Sequence, residues 1–108
     1  MSVKLSLSKQ QLEGWYLLLQ DGMERNPPTH VADQLLDRLV DKLAEKIRNK
    51  IRKLVHNNRS ELKMTLSEEE AMAFYCWYQN VVADMKPQYP YEVIVCDVIF
   101  QDIDRECA

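Results

Sequence analysis

The sequence predicts a mainly α fold with a small β ribbon: an internally duplicated strand-helix-helix unit, its two short antiparallel strands packed on about four helices. Three observations carry that expectation. The stretch Val3 to Gln20, VKLSLSKQQLEGWYLLLQ, returns without a gap as Leu62 to Gln79, LKMTLSEEEAMAFYCWYQ, at a constant offset of 59. Lys4/Lys63, Leu7/Leu66, Ser8/Ser67, Tyr16/Tyr75 and Gln20/Gln79 are identical, and Val3/Leu62, Leu5/Met64, Ser6/Thr65, Gln11/Glu70 and Trp15/Phe74 are close physical substitutes. Each stretch opens on a period of two and then changes to helical spacing, and only 2 glycines and 4 prolines interrupt the whole chain. A repeat of that kind reads as one supersecondary unit made twice, with pseudo-repeats at about 3–58 and 62–107 inside a single domain, 1–108.

The elements follow in order. Val3, Leu5 and Leu7 alternate with Lys4 and Ser6, the pattern of a short half-buried strand. Ser8 with Gln11 three residues on is a capping box, so the first helix starts near Lys9. Leu12, Trp15, Tyr16, Leu19 and Met23 form its apolar stripe, and DGMERNPP ends it because the residue before a proline avoids helical torsions. Leu17 and Leu18 lie off the stripe, which asks for a second buried strip inside the domain or against another chain.

From about Thr29 to Asn58 the residues Leu35, Leu36, Leu39, Val40, Leu43, Ile47, Ile51, Leu54 and Val55 sustain one long helical stripe. Such a helix is roughly 40 Å long, longer than a domain of this mass is wide, so it is expected to project, bend or pair with another subunit. The turn formers His56 to Ser60 close it. Leu62, Met64 and Leu66 then repeat the strand, Ser67 with Glu70 repeats the capping box, and Ala71, Phe74, Tyr75, Tyr78, Val82 and Met85 repeat the stripe. Cys76 and Trp77 take the off-stripe places of Leu17 and Leu18.

Residues 91–103 pull two ways. Val93, Ile94, Val95, Val98 and Ile99 are β-branched and favour a strand. The offset of 59 instead lays Ile94, Val95, Val98 and Ile99 on Leu35, Leu36, Leu39 and Val40, and Pro90 suits a first helical turn. Helix is the reading adopted.

Composition narrows the classes. With 46% apolar and 29% charged residues the chain is ordinary globular material. No stretch reaches the eighteen or so apolar residues of a membrane span, and the opening MSVKLSLSKQQ lacks a secretory h-region, so a cytoplasmic protein with no membrane partner is expected. Cys76, Cys96 and Cys107 are odd in number and widely spaced, which offers neither a disulfide framework nor a metal or redox motif. The net charge of −3 is unevenly spread: residues 1–45 hold seven acids and five bases, 46–63 one acid and seven bases, and 64–108 nine acids and two bases.

Catalytic, cofactor and metal residues are all expected to be absent. His30 and His56 stand at opposite ends of the long helix, and no HExxH, GxSxG, Walker or GxGxxG pattern occurs. The acidic row Asp33, Asp37, Asp41 and Glu45 reads as a solvated face balanced by Arg38, Lys42, Lys46 and Lys50. The preferred function is a non-catalytic interaction module that pairs with itself as a homodimer or with another protein, its binding surface presented by the long helix and by the off-stripe residues Leu17, Leu18, Cys76 and Trp77 as the candidate interface. The alternative is a nucleic-acid-associated protein using the basic run of Lys46, Arg48, Lys50, Arg52, Lys53 and Arg59, opposed by the acidity of the rest of the chain.

Overall fold

In the computed structural model the backbone is described for residues 2–57 and 61–107, and the side chains for all of these except 55–57. The turn expected at His56 to Ser60 therefore lies largely outside the described residues. The order is β1 (Ser2–Ser8), α1 (Lys9–Arg25), α2 (Val31–Asn57), β2 (Glu61–Ser67), α3 (Glu68–Met85) and α4 (Pro90–Cys107). The fold is mainly helical with a two-stranded antiparallel sheet. The ambiguous segment is helix: a β-branched run becomes helical here because its inward face, Val93, Cys96, Ile99 and Ile103, finds a core to pack on.

Both strand-to-helix junctions are closed by the capping boxes. The Ser8 amide donates to Gln11 Oε1 at 2.8 Å while the Gln11 amide donates to Ser8 Oγ at 3.1 Å. At the second junction the Ser67 amide donates to Glu70 Oε1 at 2.8 Å and the Glu70 amide to Ser67 Oγ at 3.2 Å. Each box satisfies two backbone donors that a helix start leaves without partners.

The register sets Val3 opposite Leu66, Leu5 opposite Met64 and Leu7 opposite Leu62. Leu5 and Met64, which are 59 positions apart, face each other at the centre of the ribbon. Val3, Leu5, Leu7, Met64 and Leu66 are buried against the helices, while Ser2, Lys4, Ser6, Lys63 and Thr65 face out. Beneath the ribbon α1 packs on α2 and α4, and α3 packs on the same two helices. Arg25 and Asp84, 59 positions apart, pair at the ends of α1 and α3, with Arg25 Nε donating to Asp84 Oδ2 at 3.2 Å.

One core serves the whole arrangement. Trp15, Leu18, Leu19, Leu43, Ile47, Phe74, Trp77, Tyr78, Met85 and Ile99 belong to it, and Trp15 meets Phe74 edge-on with ring centroids 5.4 Å apart. The Trp15 indole N–H is the one buried side-chain donor without a hydrogen-bond partner among the described residues. Burial follows the offset of 59 closely: Leu12/Ala71, Gly14/Ala73, Trp15/Phe74, Leu18/Trp77, Leu19/Tyr78 and Gly22/Val81 are all buried, and Leu17/Cys76 are both exposed. The long helix α2, about 40 Å, is as long as the longest dimension of the molecule, 41 Å.

Gly22 is required by close approach. A Cβ there would stand 2.6 Å from Trp77 Cη2 and 2.7 Å from Cζ2, and Trp77 is itself enclosed. Gly22→Ala, which in an open helix would gain about 1 kcal/mol, is expected to destabilise the protein by about 1–3 kcal/mol through overpacking, measured by urea unfolding.

Candidate partner-binding surfaces

The four residues expected at an interface separate into two pairs. Leu18 and Trp77 are core side chains, 0% and 2% exposed, and this corrects the expectation that they face a partner. A helix lying between two neighbours buries a wider arc than one amphipathic stripe, and α1 and α3 each touch both α2 and α4. Leu17 on α1 and Cys76 on α3 are exposed.

The larger apolar surfaces are elsewhere. On α4, Tyr91, Ile94 and Val98 follow i, i+3, i+7 spacing and are 47%, 64% and 52% exposed. Leu17 joins them across a surface groove lined by Gln10, Glu13, Gly14, Leu17, Tyr91 and Glu92. Gly14 permits this contact, since a Cβ in its place would lie 3.2 Å from Tyr91 Cε2. On α2, Val31, Leu35 and Leu39 are 71%, 54% and 39% exposed. Leu35 and Leu39 belong to the apolar stripe that runs the length of this helix. The core covers only the later part of that stripe, Val40, Leu43, Ala44, Ile47 and Leu54. Leu35 and Leu39 stand at the offset-59 positions of Ile94 and Val98, so the uncovered strip occurs on both helices.

The basic run is partly committed to the fold. Lys46 Nζ donates to the Thr65 carbonyl at 2.8 Å and pairs with Glu70 Oε1 at 3.0 Å. Arg48 lies 3.9 Å from Glu45. Lys50 is half-buried, and Arg52 and Lys53 are exposed with no ion pair among the described residues. Arg59 lies outside the described residues. Burial opposes ionisation of Glu70, but hydrogen bonds from Ser67 and Lys46 outweigh it and hold the carboxyl below its ordinary range.

The acidic row on α2 is only half in water. Burial, and then the neighbouring Asp33, push the Asp37 carboxyl above its ordinary value. Among the described residues no group of three or more His, Cys, Asp or Glu side chains is placed to hold a metal ion, and no helix is long and apolar enough to cross a membrane. His30 is exposed at the start of α2. Cys96 is buried, and burial raises its thiol well above the usual value; Cys76 and Cys107 are exposed. The tyrosine hydroxyls of α3 and of the α3–α4 link serve as tethers: Tyr75 donates to Asp104 at 2.8 Å, Tyr78 to Asp97 at 2.6 Å and Tyr89 to Asp21 at 2.5 Å.

No protein-family model matches the chain, and no curated protein or solved structure matches it either.

The Lys46 anchorage has a pH signature. Because the folded state lowers the Glu70 pKa, the stability it contributes is present above the ordinary carboxylate range and is lost as pH falls through that range. Lys46→Met is expected to cost on the order of 1 kcal/mol at neutral pH, a modest figure because the pair is partly open to water. The gap to the wild type should narrow steadily in urea titrations carried to acid pH.

Proposed function

We propose that this chain is a non-catalytic protein-interaction module of the cytoplasm, a doubled strand-helix-helix unit that works as a homodimer. One observation carries the reading: large apolar side chains stand in water as ordered strips along α4 and α2, not singly. Burying an Ile or Val side chain contributes about 1.5–3 kcal/mol, so a strip such as Tyr91, Ile94 and Val98 is a ready source of association energy. A standard interface takes roughly 800 Å² from each partner, a modest share of the 6761 Å² this chain exposes.

A nucleic-acid contact is the second reading, and the exposed cations Arg52 and Lys53 favour it. Affinity for single- or double-stranded nucleic acid should then fall with salt, by a logarithmic slope of about −0.9 for each duplex phosphate engaged. No binding in low-salt gel shifts removes this reading.

Self-association is tested by sedimentation equilibrium at micromolar concentration. A dimer is expected for the wild type, and Ile94→Asp with Val98→Asp should dissociate it while the helical circular dichroism persists. Leu18→Asp, by contrast, should unfold the chain, since it places an unpaired carboxylate in the core. A wild type that sediments as a monomer throughout overturns the homodimer.

A further inference from the structure

We infer that the outer edge of β1 docks a second copy of this chain, extending the ribbon into a four-stranded antiparallel sheet in the order β2-β1-β1-β2. This rests on the homodimer reading and names the surface that serves it.

The backbone of β1 is sorted by the ladder. In an antiparallel pair, alternate residues aim both backbone groups at the partner strand and those between aim them away. Three bonds identify the outward set. The Ser8 amide goes to Gln11, the Ser67 amide to Glu70, and the Thr65 carbonyl to Lys46. In the observed register these residues belong to the pairs Ser8↔Glu61, Ser2↔Ser67 and Lys4↔Thr65, all of one parity. The ladder is therefore made by Val3, Leu5 and Leu7. Ser2, Lys4 and Ser6 turn their N–H and C=O groups away from β2, and no backbone hydrogen bond reaches them there among the described residues.

The two edges of the ribbon differ. That of β2 is blocked where the Lys46 ammonium sits on the Thr65 carbonyl, held in turn by Glu70. At the offset of 59, Thr65 corresponds to Ser6 and Lys46 to Arg105, but Arg105 is exposed and bonded to Asp102 on its own helix. A strand edge left open is a template for another strand. One open edge and one blocked edge favour a closed twofold dimer over a growing fibre.

Two further features select a second copy as the occupant. Of the two helices with uncovered apolar strips, α4 packs against β1 and α2 against β2, so the strand with the open edge is the one that adjoins the helix carrying Ile94 and Val98. The edge is also complementary to itself. A twofold pairing that sets Lys4 across from Ser6 of the other copy repeats the cation-to-hydroxyl pairing inside the chain, where Lys4 faces Thr65 and Lys63 faces Ser6. It keeps the two Lys4 side chains from standing directly opposite one another.

The test is residue-resolved amide hydrogen exchange on the intact chain, at concentrations where sedimentation gives dimer and where it gives monomer. The Lys4 and Ser6 amides should be protected in the dimer and lose protection on dilution, while Leu5 and Leu7 stay protected at both. Lys4→Pro removes an outward donor and leaves the β1–β2 ladder intact, so it should weaken dimerisation about ten- to a hundredfold without loss of helix. A dimer whose Lys4 and Ser6 amides exchange freely, or a Lys4→Pro variant that pairs like the wild type, overturns the edge and leaves the homodimer standing. A wild type that is monomeric throughout overturns both, as does one whose edge binds only an added extended peptide.

Discussion

The pairing of residues 2–8 with 61–67 is the constraint on which the rest of the molecule depends. Two strands alone are marginal in water. Here they are secured because one face of the ribbon is apolar and closes the core over four helices. Its register cannot drift by one residue, since that would turn Val3, Leu5 and Leu7 into solvent and bury Lys4. The same pairing positions the starts of α1 and α3, because each helix is capped by the last serine of its own strand. Strand register thus becomes helix placement through two short local motifs.

Around that centre the two halves are alike in order and burial but unlike in their polar fastenings. Lys46 reaches from α2 to the rim of β2 and to the cap of α3, joining three elements with one side chain. On the α3–α4 side tyrosines do the joining. Tyr78 is buried, and burial with its bond to Asp97 pushes its hydroxyl above the ordinary range. Tyr75 stacks on Phe100 at 4.3 Å and holds Asp104. These fastenings leave an apolar strip uncovered on each of α2 and α4, Val31, Leu35 and Leu39 on the one and Tyr91, Ile94 and Val98 on the other.

Much of this was legible in the residues. Alternation at 3–7 and 62–66, the serines with Gln11 and Glu70, and the proline-bounded gaps all encode local geometry, which depends on neighbours a few positions away. The segment after Pro90 is helix although its β-branched propensity pointed to a strand. The candidate interface was only half legible. Leu17 and Leu18 look the same in a periodicity plot, as do Cys76 and Trp77, because a helical wheel does not say how many elements surround a helix.

Local sequence therefore determined the elements, their ends and the face each strand buries, since capping and two- or 3.6-residue periods act within a few residues. Tertiary packing alone decided that Leu18 and Trp77 are interior, that Leu35 and Leu39 are exposed, and that Lys46 blocks one edge of the ribbon. The reason is physical: burial and edge protection are properties of what lies across space, where residues 19 or 59 positions apart in the chain meet.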